Sequence, residues 1–152
     1  MPIRGFRAVE PGVRSWILAP MSPESRDIAE RAIEAFNRTD EDAFAACTTP
    51  DFEWSPSMSA IEAEVFRGRD GIAEYFASLA SAWERFHIVT DEFRELPETV
   101  VMLGRLEGLG KGSGVPVNSP LGMVFDLRDG LIARIRGFLD HDEALRVAGA
   151  PE

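Results

Sequence analysis

Between residues 23 and 83 apolar side chains return at steps of three and four; from residue 86 onward they alternate with polar ones. The first spacing lines one face of a helix and the second lines one face of a strand. Ile28, Ala29, Ala32, Ile33 and Phe36 form one helical stripe, with Arg26, Asp27, Glu30, Arg31 and Glu34 on the other side. Ser22 before Pro23 offers an N-cap and a first-turn proline, so a helix is expected over about 23–37. A turn at Asn37, Arg38 and Thr39 follows. Asp40 then caps a short second helix that ends before Pro50. Residues 51–55 read as a strand with Phe52 and Trp54 on one face. Beyond a Ser- and Met-rich loop, Asp70 is expected to cap a third helix carrying Ile72, Tyr75, Phe76, Leu79 and Trp83.

The period-two region divides into strands over about 86–96, 99–109, 115–127 and 131–139. Pro97 lies in the first turn, and Arg128, Asp129 and Gly130 make a tight hairpin. Asp140, with Glu143 three residues on, starts a closing helix, and Gly149 ends it. Helices first and antiparallel strands afterwards define an α+β domain with the helices on one face of a sheet. Residues 1–21 hold Arg4, Arg7 and Arg14 among three prolines and read as an irregular arm before a domain at 22–149; Met21 could itself begin that domain.

Composition narrows the partners. A net charge of −10 gives no basic footprint for nucleic acid or anionic lipid. No apolar run approaches the roughly 20 residues of a membrane span. The one cysteine, Cys47, allows no internal disulfide, so the cytoplasm is the default compartment. Cys47 reads as a small buried hydrophobe. Two histidines and one cysteine offer no zinc-type spacing, and neither a metal nor a cofactor is expected. The glycine-rich stretch 108–114 fits no phosphate-loop pattern and joins two strands, so it reads as a flexible hairpin connection.

Four stretches in order carry a family resemblance. They are Ile-Glu-Ala-Phe-Asn-Arg-Thr-Asp-Glu-Asp-Ala-Phe (33–44), Asp-Phe-Glu-Trp-Ser-Pro (51–56), Phe-Arg-Gly-Arg-Asp-Gly-Ile (66–72) and Asp-Gly-Leu-Ile-Ala-Arg-Ile-Arg-Gly-Phe-Leu-Asp (129–140). Together they resemble the SnoaL-like domains of the nuclear transport factor 2-like superfamily. The resemblance implies a cystatin-like cone: a strongly curved, mostly antiparallel sheet packed against about three N-terminal helices, with a short C-terminal helix. An apolar pocket would lie between the sheet and the helices. Members include ketosteroid isomerases, polyketide cyclases, epoxide hydrolases and non-catalytic proteins, and the fold does not choose among them.

Two catalytic templates leave gaps. Ketosteroid isomerase-like members need a tyrosine, a carboxylate base and a protonated acid; the matching positions here are Ala32, Ser55 and, counting back from the last hairpin, Gly122. Limonene epoxide hydrolase-like members use two carboxylates flanking an arginine. Arg105 and Glu107 resemble half of that group, whereas Gly137 stands where the second carboxylate belongs. Arg105 and Glu107 share a face, either as a solvated ion pair or as pocket residues. His87 is either an exposed strand residue or a general base. Two functions remain. One is a cofactor-independent acid–base enzyme using Arg105, Glu107 and His87. The other is a non-catalytic module, able to pair as a homodimer, that holds a small hydrophobic molecule against Trp54, Tyr75, Leu79 and Trp83.

Overall fold

The computed structural model describes residues 23–56 and 65–149. The expected arm at 1–21, the Ser22 cap and most of the Ser- and Met-rich loop lie outside the described residues. The first apolar stripe forms helix α1 (Pro23–Asn37), and its Ile28, Ala29, Ala32, Ile33 and Phe36 are buried. Asp40 caps α2 (Glu41–Ala45), its carboxylate accepting the Ala43 amide at 3.1 Å. Strand β1 (Thr48–Ser55) starts before Pro50, earlier than its sequence suggests. Its pairing with the last strand is irregular between Thr48 and Glu53, a break that accommodates a residue without an N–H.

A two-residue strand β2 (Phe66–Arg67) leads directly into α3 (Gly68–Ala82). Asp70 therefore lies inside the first turn and is not the cap, where its charge still complements the positive end of the helix. Four long strands follow: β3 (Trp83–Leu96), β4 (Thr99–Gly110), β5 (Pro116–Arg128) and β6 (Leu131–Phe138). Helix α4 (His141–Ala148) closes the domain between the Asp140 cap, which accepts the Asp142 amide, and Gly149 in the left-handed conformation.

The six strands run β2-β1-β6-β5-β4-β3, and only the β1–β6 pair is parallel. Alternation gives this sheet two faces. The inner face presents Val100, Met102, Leu106, Met123, Phe125 and Ile135 to α1, α2 and α3. The outer face presents Val101, Leu103 and Val124, covered by Ala144 and Leu145 of α4. This is the α+β arrangement expected from the order of periods.

Trp54 is the hub of the inner core. Its indole stacks on Phe44 with centroids 4.8 Å apart and planes at 14°, and meets Tyr75 edge-on at 4.5 Å. Phe36, Phe52 and Phe76 lie about it at 5.9, 6.0 and 6.3 Å. These contacts join α1, α2, α3 and β1 through one side chain. Trp54→Ala should therefore cost about 3–5 kcal/mol of stability, read by chemical denaturation. A loss below about 1 kcal/mol would show that the hub is dispensable.

Candidate functional site

Strand β3 is an edge of the sheet, and an edge leaves backbone groups without strand partners. Asn37, the last residue of α1, takes one such pair. Its Nδ2 donates to the Ile88 carbonyl at 2.9 Å, and its Oδ1 accepts the Ile88 amide at 2.9 Å. The side-chain amide thus stands in for a missing strand and fixes the end of α1 against β3.

Next to this clasp opens a cleft of about 580 Å³ between the ends of α1 and α3 and the start of β3. Phe36, Phe76, Leu79, Trp83 and Phe86 supply its apolar walls, and Asn37, Thr39, Glu84, Arg85, His87 and Lys111 its polar border. Trp83 was expected to end the helical stripe. Instead α3 stops at Ala82, and Trp83 begins β3 in an extended conformation opposite Gly110. Its ring lies on Gly108, where a Cβ would come within 2.9 Å of the indole. One glycine of the glycine-rich stretch is therefore a seat for this ring. The following loop is held to α3 by Lys111, whose amide donates to the Ala82 carbonyl at 3.0 Å and whose ammonium donates to the Ala80 carbonyl at 3.2 Å. Both contacts satisfy carbonyls that a helix end leaves open.

A second, inner pocket lies deeper on the concave face and encloses only about 30 Å³. That volume holds little more than a water molecule. Trp54 and Tyr75 border it, together with Ile88, Leu106, Leu121 and Met123. The four expected ligand-binding residues thus divide. Leu79 and Trp83 line the open cleft, whereas Trp54 and Tyr75 are core residues at 3% and 6% exposure.

The candidate proton-transfer residues stand elsewhere. Arg105 and Glu107 alternate with the inner residues of β4 and project from the outer face, where they pair at 3.1 Å with side chains 43% and 45% exposed. Arg105 also reaches Asp91 at 3.7 Å. Neither residue borders the cleft or the inner pocket. His87 is paired opposite Glu107 on the exposed edge strand and touches the cleft only at its border. Ala32 is fully buried in α1, and Ser55 is aligned with Arg136 on the outward parity of β1 and β6.

Gly122 also faces outward. A Cβ there would meet that of Ala144 in α4 at 2.6 Å. It shares the parity of Val124, opposite to that of Leu121, Met123 and Phe125, which alternate inward along β5 without a break. Gly137 does border the inner pocket, beside the apolar Leu121 and Met123. Among the described residues, the inner pocket has no acidic, basic or histidine side chain in its lining. Burial pushes the Cys47 thiol above its usual range, which disfavours the reactive thiolate. The other histidine, His141, is used structurally: its Nε2 lies 2.8 Å from the Gly104 carbonyl, which can only accept.

Residues 29–135 match the SnoaL-like domain model, and the chain belongs to the SnoaL-like domain family. Solved structures agree at the level of the fold. An NTF2-like protein of unknown function from Burkholderia pseudomallei superposes with a TM-score of 0.71 at 22% identity, covering 86% of this chain and all 100% of its own. TerC, co-crystallised with polyporic acid, gives 0.69 at 19% identity over 84% of this chain and 99% of its own. A Catenulispora acidiphila protein with a ketosteroid isomerase-like fold, in complex with trimethylamine, gives 0.67 at 18% identity over 86% and 96%. No curated protein matches the chain. No helix among the described residues is long and apolar enough to cross a membrane.

Asn37 and Phe86 were missed as site residues, though each left a signal. Asn37 falls four positions after Ile33, so an amide occupies the apolar stripe; Phe86 shares strand parity with Ile88. Asn37→Ala should lower stability by about 1–3 kcal/mol, because Ile88 loses both partners at the half-buried edge. Asn37→Asp keeps an acceptor but removes the donor, and should remain less stable than the native chain at neutral pH. Equal stability of all three proteins in urea would remove the clasp from the structural account.

Proposed function

We propose that this SnoaL-like chain is a binding module for a small hydrophobic molecule, which it holds in the cleft against Leu79, Trp83 and Phe86. The observation that carries this reading is an open, aromatic-walled cleft of about 580 Å³, a size within the usual range of small-molecule sites. The paired charges that would serve acid–base catalysis, Arg105 and Glu107, point away from it. The polyporic acid in the TerC crystal is consistent with a small-molecule role on this fold. Catalysis is the second reading, and His87 at the cleft border is the residue that favours it. Its ring would have to turn towards the cleft from an exposed edge strand.

The compartment we propose is the cytoplasm, in keeping with a single, buried, unpaired cysteine. We further propose that the outer face of β3, β4 and β5 beyond α4 receives a second copy of the chain. That face carries half-exposed Val89 and Leu109 beside the Arg105–Glu107 pair, so it offers both apolar area and charges of both signs. Sedimentation equilibrium should then show a dimer that Val89→Glu weakens.

A thermal-shift screen of aromatic and terpenoid compounds tests the cleft. A ligand at about 100 times its dissociation constant should add about 2.7 kcal/mol of stability. Leu79→Arg, which places a charge in the apolar wall, should abolish that gain, whereas Arg105→Ala and Glu107→Gln should leave it unchanged. Loss of the gain in the outer-face variants, with the Leu79 variant unaffected, would move the site to the other side of the sheet.

A further inference from the structure

We propose that Phe86 is a removable partition between the cleft and the inner pocket, and that it sets the length of the apolar tail of a carboxylate ligand whose head lies at the Lys111–Arg85 border. The inference rests on the cleft being the ligand site. Phe36 and Phe86 are the two residues that border both cavities. Their rings meet edge-on with centroids 5.7 Å apart, so together they form the wall between the two spaces.

The two rings are not equally fixed. Phe36 is buried and also packs edge-on against Trp54 and Phe76. Phe86 is half-buried, and its other aromatic neighbour is Trp83, 5.3 Å away on the cleft side. Phe86 is therefore the side of the wall that can turn. Behind it the pocket is bordered by Trp54, Tyr75, Ile88, Leu106 and Met123, surroundings that suit an alkyl or aryl tail and offer a charged group no counter-ion among the described residues.

The outer border has the opposite character. Lys111 and Arg85 stand there against the single carboxylate of Glu84, a local excess of positive charge in a chain of net charge −10. The Lys111 ammonium donates one hydrogen to the Ala80 carbonyl, leaving two for an anionic head. A positive border outside and an apolar pocket behind a movable ring match a linear amphiphile: the carboxylate at the mouth and the tail directed past Phe86.

Isothermal titration with saturated linear carboxylates of increasing chain length tests this. Affinity for the native chain should rise about fourfold per added methylene while the tail is being buried, and then stop rising once it reaches the Phe86 ring. In Phe86→Ala the rise should continue for several further methylenes, so that the ratio of longest-acid to shortest-acid affinity grows at least ~10-fold over that of the native chain. Phe86→Leu, which keeps most of the apolar volume and guards against a misfolded alanine variant, should stop at an intermediate length. Alcohols of the same lengths should bind more weakly to every variant. Identical length profiles for the native chain and both variants would overturn the partition while leaving the cleft as the site. Alcohols binding as tightly as acids would overturn the assignment of the head. Absence of binding by any acid or alcohol, together with silence in the thermal-shift screen, would overturn the cleft itself.

Discussion

The packing of one indole decides where this fold keeps its free space. Trp54 sits on the inner face of β1 and is met by rings from all three helices of that face, from Phe36 on α1, Phe44 on α2, and Tyr75 and Phe76 on α3. Interiors pack as densely as organic crystals, and among the described residues a cone closed on so many rings leaves a small void beside Tyr75. The usable volume is displaced sideways to the unprotected edge at β3. There the helices end, and the Asn37 amide holds the strand edge without covering it. The same side chain that stabilises the domain thus leaves the larger opening at the sheet edge.

The parity of the sheet sets the chemistry. Positions that carry charge on the long strands, Arg105 and Glu107 on β4 and Arg134 and Arg136 on β6, all face outward, where they pair with Glu107, Asp91 or Asp126. The inner positions of the same strands are apolar or glycine. Beyond the patch that α4 covers, the outer face is polar and solvated while the inner face is dry, as in a sheet whose second side is largely open to water. The division of faces keeps the Arg105–Glu107 pair on the side away from the cleft and the inner pocket.

Much of the fold could be read from the order of residues. The change from helical spacing to alternation at residue 86 located the long strands to within a few residues, and the aspartates before α2 and α4 marked both helix starts. Two features were hidden for physical reasons. On β4 both faces are apolar near Val100, Val101, Met102 and Leu103, because helices cover each side there. Alternation could therefore put Arg105 and Glu107 on a common face without saying which. On β6 the bulge opposite Asp126 and Leu127 leaves no mark in composition, yet it brings Ile132 and Ile135, three positions apart, to the same inner face. The cleft itself was half legible. Leu79 and Trp83 were read from one helical spacing, although Trp83 stands in β3, whereas the clasp at Asn37 depends on a strand about 50 residues away.

The parallel pairing of β1 with β6 has a consequence for how the chain reaches this state. Trp54 lies beside Ile135, its register partner about 80 residues later. Apart from the two-residue β2, the first strand has no neighbour until the last one has been made. Loops that long are costly to close and slow the search for the native pairing. As the chain leaves the ribosome, its first half can gather its helices but cannot yet shelter the bare flank of β1. A nascent chain stopped before residue 131 would expose that flank, and it is at this stage that the protein would most depend on a chaperone.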